Sequence, residues 1–412
     1  MSNKPTLSLC MIVKDEENHL PVCLESVKNL VDEIIVVDTG STDKTEEIAR
    51  SYGAKIYHYQ WHDDYAAARN ESLNHATGDW VLYLDADERI REQDIPKIKE
   101  IISHEDIFAV NVPVVIPQPP GNVVTSFAVN YCRLFRNHPL VRFEGAAHEQ
   151  ILPSIQRLGG KVVKSDIVID HWAYGDTMQR CRDREQENLK LLLKELEAAP
   201  LDPFIHYHLA LTYRSLNQTE AAINEFEQVL ALDDGSLKRE LIAITYTFLA
   251  QAYLAKGDHH QALENSYKAI QMLPEEPLPY YLAAAAALEK QDFEMAIESL
   301  RQILNLTTAQ HSSSPIAEID LAQVYLDLGN CYYKLQRLTE AETNYREAVR
   351  RNPESWEIHF NLGNCYFRMG RYLLAQQFFE RTLELNPSFE AARSNLLICQ
   401  SLNSKHQIVK DG

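Results

Sequence analysis

Trp80-Val81-Leu82-Tyr83-Leu84-Asp85-Ala86-Asp87-Glu88 is an apolar run that ends in acids. Its first five residues read as a short strand buried on both faces, as in a parallel sheet. Acids at the end of such a strand lie outside the carboxyl edge of the sheet, where open α/β folds bind their ligands. Two carboxylates two residues apart in an extended segment point the same way, so Asp85 and Asp87 can share one hard divalent cation. The competing reading is that the acids solubilise a strand end and cap a helix beginning near Ile90. The rest of the chain decides between them.

Working outward from this run, short β-rich segments alternate with amphipathic ones up to about residue 172. Leu7–Val13, Glu33–Asp38, Lys55–Tyr59 and Trp80–Leu84 read as strands, with helices near Asn18–Leu30, Lys44–Tyr52 and Tyr65–Ala76. Alternation with short connections predicts a mostly parallel sheet covered by helices on both faces. After Glu88 the runs lengthen to Phe108–Ile116, Val123–Phe135 and Val162–Ile169, punctuated by Pro113, Pro117, Pro119 and Pro120. These predict a mixed or antiparallel extension with a proline-stiffened loop.

From Thr177 onward the period is helical. Small residue and partner recur as Ala210 and Tyr213, Ala250 and Tyr253, Ala284 and Ala287, Gly329 and Tyr332, Gly363 and Tyr366. A second small residue follows each, at Ala222, Ala262, Ala296, Ala341 and Ala375. The last two units close with Asn352-Pro353 and Asn386-Pro387, 34 residues apart. This pattern resembles the tetratricopeptide repeat, whose helix pairs pack small residues against aromatics of the neighbouring helix. The expected organisation is an α/β domain over 1–176, a linking helix over 177–199, and about five repeats over 200–405, with a loop or hinge over 303–317. Such an array offers a concave groove to a protein partner.

Composition narrows the classes further. The chain has 412 residues, 45% apolar and 24% charged, which is ordinary for globular domains. Its formal charge of −19 is shared almost evenly between the halves, so nucleic acid and anionic lipid are poor partners. The seven cysteines are scattered and contain no C-x-x-C pair, which reads as reduced thiols of a cytoplasmic protein. No apolar stretch approaches the roughly 20 residues that span a bilayer, so no integral membrane segment is expected.

Five ordered motifs give the amino-terminal half a specific resemblance. They are Val13-Lys14-Asp15-Glu16-Glu17, Cys23-Leu24-Glu25-Ser26, Ile35-Val36-Val37-Asp38-Thr39-Gly40-Ser41-Thr42-Asp43, Ala67-Ala68-Arg69-Asn70 and Asp85-Ala86-Asp87-Glu88. Together they resemble family 2 glycosyltransferases of the GT-A fold, strongly over residues 5–90 and loosely over 91–172. The resemblance implies a nucleotide-sugar donor and a Mg²⁺ or Mn²⁺ ion, with Asp87 on the metal and Asp85 on ribose and a metal-bound water. It implies donor contacts from Asp15, Glu16, Asp38 and Arg69. Asp replaces the family's Asn at Asp15 and Lys14 replaces an aromatic, which changes the base-stacking contact. Asp38 precedes the turn Thr39-Gly40-Ser41, so it either meets a nucleobase or ribose or ties down its own turn. Asp43 is read as a helix cap, and Glu88 as serving the start of the following helix.

On the acceptor side, Arg133-Leu134-Phe135-Arg136-Asn137 and Phe143-Glu144-Gly145-Ala146-Ala147-His148-Glu149 resemble the repeat-bearing subgroup of these enzymes. Glu149 is assigned as general base, His148 as the neighbour that orients it, and Glu144 as the fallback. His171, in Asp170-His171-Trp172, is the candidate third ligand, an imidazole better suited to Mn²⁺ than to Mg²⁺. Arg133 and Arg136 either hold phosphate or pair with acids. The expected function is inverting, hexosyltransferase-type transfer of a single sugar, from a UDP-sugar, to a protein, peptide or glycan acceptor. A sugar-phosphate nucleotidyltransferase would need a glycine-rich loop where Lys14-Asp15-Glu16 stands. Processive synthases carry a Gln-x-x-Arg-Trp element that this chain lacks. The alternative from another class is an inactive transferase-like scaffold acting through its repeats.

Overall fold

The structure, a computed structural model, describes residues 4–119, 122–172, 178–235, 237–308 and 317–411. The chain divides into two compact units, one of residues 1–119 and 126–236, the other of 120–125 and 237–412.

In the first unit β1 (Leu7–Val13), α1 (Leu20–Val27), β2 (Glu33–Asp38), α2 (Thr45–Ser51), β3 (Lys55–His58), α3 (Tyr65–His75) and β4 (Trp80–Tyr83) alternate. There follow β5 (Glu88–Ile90), α4 (Ile95–Ile101), β6 (Ala109–Pro117), β7 (Val124–Arg136), α5 (Leu152–Arg157), β8 (Val162–Lys164) and β9 (Ile169–His171). The unit closes with α6 (Met178–Ala198), α7 (Pro203–Ser215) and α8 (Thr219–Ala231).

The sheet runs in the order β3-β2-β1-β4-β7-β6-β9-β5, with β8 beside β6. Its first four strands are parallel, and β7 joins them antiparallel through β4. β1 is buried along its length because helices cover both sides. Leu7, Leu9, Met11 and Val13 pack with Leu20, Cys23 and Leu24 of α1 and Ile98 of α4. Cys10 and Ile35 point the other way, with Ala66 and Leu73 of α3 and Ile155 of α5. Period-2 alternation between two apolar layers explains why these strands read as continuous hydrophobic runs.

Two local expectations differ from the observed chain. The run expected over 162–169 is two short strands, β8 and β9, each parallel to β6. The helix expected near Ile90 begins at Ile95, because Glu88–Ile90 pairs antiparallel with β9, Glu88 opposite His171. Glu88 therefore serves no helix start. It is a buried strand residue.

The second unit contains α9 (Arg239–Lys256), α10 (His259–Met272), α11 (Pro277–Glu289), α12 (Phe293–Thr308), β10 (Ala317–Ile319), α13 (Leu321–Lys334), α14 (Leu338–Arg351), α15 (Trp356–Arg368), α16 (Tyr372–Leu385) and α17 (Glu390–Asp411). The small residues aligned in the sequence are buried at the helix crossings. A Cβ on Gly329 would lie 2.5 Å from the Tyr345 ring, and one on Gly363 would lie 2.7 Å from Phe379. Within this unit the Asp320 N–H donates to the Val123 carbonyl at 2.8 Å. Of the hinge expected over 303–317, α12 continues to Thr308, and 309–316 lie outside the described residues.

Among the described residues six free cysteines are buried, and burial pushes the Cys10 and Cys132 thiols up to about 12, so these two behave as core residues. Among the described residues no helix is long and apolar enough to cross a membrane.

Candidate active site

The loops after β1, β2 and β4 share one edge of the sheet because these three parallel strands are neighbours. The first two loops are knitted together. Asp15 has a left-handed φ of 54°, its N–H donates to Ser41 Oγ at 3.0 Å, and its carboxylate accepts from the Thr42 N–H at 2.7 Å. The Glu16 N–H donates to Thr45 Oγ1 at 2.7 Å, and the Glu16 carboxylate meets His19 Nδ1 at 2.9 Å. Asp43 accepts from the Thr45 N–H at 2.9 Å and from the Glu17 N–H at 3.0 Å, so it starts α2 and ties it to the first loop.

The two oxygens of Asp38 differ in their surroundings. Its Oδ1 accepts from the Gly40 and Ser41 N–H groups at 2.8 and 2.9 Å, tying down the turn. Its Oδ2 is buried and has no hydrogen-bond partner. A buried acceptor left unpaired costs about 1–3 kcal/mol. A ligand N–H or O–H delivered there removes that cost.

Asp85 to Glu88 form a turn, closed by the Glu88 N–H donating to the Asp85 carbonyl at 3.0 Å, so Asp85 and Asp87 are not side by side on an extended strand. Asp85 faces two buried arginines. Arg69 Nη2 donates to its Oδ1 at 2.7 Å and Arg133 Nη2 approaches its Oδ2 at 3.3 Å. Burial alone would raise the Asp85 carboxyl, but the charges of Arg69 and then Arg133 outweigh it and hold the group below the usual carboxylate range. Arg133 also donates to Glu88 Oε1 at 2.6 Å, and its guanidinium lies over the Tyr83 ring, 4.3 Å from the centroid. Burial pushes the Glu88 carboxyl up, against the pull of Arg133. Arg136 is structural. It donates to the carbonyls of Ile107 and His104 and stacks on Trp80.

Helix α3 clamps this turn to the acceptor-side loop. Arg69 Nε donates to Glu149 Oε1 while its other arm holds Asp85, so one guanidinium joins residues 80 and 16 positions away. The neighbouring Asn70 exchanges two hydrogen bonds with the Phe143 backbone, at 3.0 and 2.9 Å. The Tyr65 N–H donates to the Ala146 carbonyl at 2.9 Å. Glu149 Oε2 has no hydrogen-bond partner among the described residues. Glu144, in contrast, is a half-buried residue ion-paired with Arg157.

Asp87 points to the end of β9, where its Oδ2 lies 3.3 Å from His171 Nε2, and its carbonyl accepts from the Trp172 N–H at 2.7 Å. An oxygen and an imidazole nitrogen this close form a donor pair suited to Mn²⁺. Asp85, already engaged by two arginines, does not complete a three-ligand set with them. Among the described residues the three-ligand cluster is Asp38, Glu46 and His58, with ligand atoms within 4.8 Å of one another. There a Glu46 carboxylate oxygen lies 3.5 Å from Nδ1 of the exposed His58.

The loop carrying Glu149 turns on two left-handed residues, Gly145 (φ 92°) and His148 (φ 53°). His148 does not hydrogen-bond Glu149. Its ring stacks on His208 of α7, with centroids 4.1 Å apart, and its Nε2 is buried without a partner. Burial lowers the pKa of both imidazoles, most strongly at His208. Glu195 Oε1 of α6 accepts from the Ala146 and Ala147 N–H groups at 2.6 and 3.1 Å. Asn70, Glu195 and His208 are the residues that sequence reasoning missed. Asn70 stood inside a recognised motif, whereas nothing local marks the other two.

Residues 8–157 match the model of the glycosyl transferase family 2, and residues 201–275 and 326–388 match tetratricopeptide repeat models. A TPR repeat-containing protein of Synechococcus elongatus is 35% identical over 54% of this chain and 66% of its own length. The SPbeta prophage-derived glycosyltransferase SunS of Bacillus subtilis is 26% identical over 54% of this chain and 53% of its own. An uncharacterized glycosyltransferase of Rickettsia typhi is 37% identical over 24% of this chain and 33% of its own. The chain thus spans between a third and two thirds of the length of these relatives. It carries an amino-terminal family 2 glycosyltransferase domain and a carboxyl-terminal array of tetratricopeptide repeats.

Proposed function

We propose that the chain is a metal-dependent, inverting glycosyltransferase that moves one hexosyl unit from a UDP-sugar to a protein, peptide or glycan acceptor recruited by the repeats. The observation that carries this reading is the Arg69 bridge, which ties an acid of the Asp85-Ala86-Asp87 turn to the acceptor-side carboxylate Glu149. The donor-binding edge and a base 80 positions beyond Arg69 belong, in this reading, to one site.

In this reading the unpaired Oδ2 of Asp38 accepts from the nucleobase or ribose, with Asp15 and Glu16 shaping the same pocket wall. Asp87 and His171 would hold the Mn²⁺ or Mg²⁺ ion, which when bound supplies Lewis-acid stabilisation of the departing diphosphate. Arg69 fixes Glu149 through Oε1 and leaves Oε2 to take the acceptor proton. The acceptor atom then bonds to the anomeric carbon as the glycosidic bond to phosphate breaks, and nucleoside diphosphate leaves from the opposite face. Asp85, kept anionic by Arg69 and Arg133, would accept from the ribose.

Isothermal titration of UDP with and without Mn²⁺, paired with a nucleotide-sugar hydrolysis screen, tests the reading. Metal-linked binding and turnover are expected. Asp87→Asn should weaken nucleotide binding, and Glu149→Gln should abolish transfer while sparing it. Folded protein that binds no nucleotide would indicate a scaffold, and full turnover in Glu149→Gln would remove Glu149 from the role of base.

A further inference from the structure

The loop that presents Glu149 is held from two sides. One side is α3, through Asn70 and Tyr65. The other is helical and belongs to the same compact unit as the sheet, since α6, α7 and α8 lie within residues 126–236. Three independent contacts join it to the loop. Glu195 of α6 gathers two consecutive backbone N–H groups, of Ala146 and Ala147, on one carboxylate oxygen. His208 of α7 stacks flat on His148, with an interplanar angle of 13°. Ala147 is buried in an apolar cluster with Leu192 of α6 and Leu209 of α7.

These contacts fall on the three residues immediately before Glu149, where the backbone enters the left-handed region at His148. A non-glycine residue in that region is strained and persists only where its surroundings hold it. Carboxylate-to-amide bonds are charge-assisted and anchor a turn more firmly than neutral ones. The buried imidazoles stay neutral, so they stack without charge repulsion.

We propose that Glu195 and His208 are positioning residues for the Glu149 carboxylate, so that α6 and the first repeat helix are a structural part of the acceptor site as well as an entry to the repeat array. The inference rests on Glu149 acting as proposed above. Neither side chain touches substrate. Their work is to keep the 145–148 turn closed, and with it the angle at which Glu149 meets Arg69 and the acceptor.

The test uses full-length protein. Glu195→Ala and His208→Ala should each lower kcat for transfer by about tenfold to a hundredfold, the range that a displacement of about 1 Å produces. The UDP affinity, which rests on the loops after β1, β2 and β4, should stay within twofold. Glu195→Gln, which keeps an acceptor oxygen, and His208→Phe, which keeps a stacking ring, should restore most of the rate, a rescue that a general loss of stability does not give. Unchanged kcat in both alanine variants overturns the proposal, as does a parallel loss of UDP binding. Should the alanine variants fail to fold, Gln and Phe variants that fold but lack activity overturn it as well. Amide exchange at Ala146 and Ala147 gives a readout without turnover. Protection in the wild type that is lost in Glu195→Ala supports the anchor even if the wild type transfers no sugar, in which case the catalytic reading alone has failed. Fast exchange at both amides in the wild type refutes the anchor itself.

Discussion

Replacing Arg69 by lysine keeps the charge and removes the fork. Arg69 reaches Glu149 through Nε and Asp85 through Nη2, and it is almost fully buried between them. A lysine ammonium is a point donor on a flexible stem and cannot hold both carboxylates in that geometry. Asp85 would retain Arg133 at 3.3 Å, so the group left unpartnered is Glu149. Losing one hydrogen bond to a charged partner costs about 1.5–3 kcal/mol. For a unit of this size each kcal/mol lowers Tm by about 2–4 °C, so Arg69→Lys should melt about 3–12 °C lower. Arg69→Met leaves Glu149 with no charged partner and Asp85 with Arg133 alone, and should cost about 3–5 kcal/mol. Scanning calorimetry of the three proteins, alongside transfer rates, measures both effects. The lysine variant should lose transfer by at least tenfold while binding UDP. If Arg69→Lys keeps the wild-type Tm and the wild-type rate, the bridge is not what joins the two halves of the site.

Burial lowers the pKa of His148 and, more strongly, of His208, so each takes up its proton at lower pH in the fold than in the unfolded chain, which protonates below about pH 6.5. Stability should therefore fall as pH drops from 7 to 5, by up to about 1.4 kcal/mol per unit for each group, with no loss from them above pH 7. Denaturant titrations at several pH values should show a shallower acid limb in His208→Phe, and an identical limb would rule the pair out as its source. A chain ended at residue 236 should fold and bind UDP, whereas one ended at 176 lacks the Leu192 and Leu209 cover of Ala147 and should melt lower. Equal Tm values for the two truncations would contradict that. Gly363→Ala forces a methyl to within 2.7 Å of the Phe379 ring, so the repeat unit should lose about 1–3 kcal/mol with UDP affinity unchanged. An unaltered melting profile would show that the crossing has slack.

Periodicity made the architecture legible, because burial is imposed residue by residue along the chain. Strands covered on both faces must be apolar almost throughout, as Leu7–Val13, interrupted by Ser8 alone, and Trp80–Tyr83 are, and helix crossings must be small, as at Gly329 and Gly363. The position of Asp38 at a strand end was equally local. What each of its oxygens does was not, since one is spent on the turn and the other left without a partner.

The amino-acid sequence by itself determined the alternation of strands and helices as far as β4, the sheet edge that carries acids, and the repeat array. Tertiary structure decided which charges meet. Glu88 seemed a helix-start residue until β5 paired with β9 and buried it against Arg133. Asp85 and Asp87 seemed a matched pair until the turn sent one to two arginines and the other to His171. Glu149 meets Arg69 across 80 positions, and Glu195 meets the Ala146 amide across 49. Such pairings have no period to betray them. An ion pair between distant residues is set by where packing leaves two side chains, and packing is a property of the assembled elements.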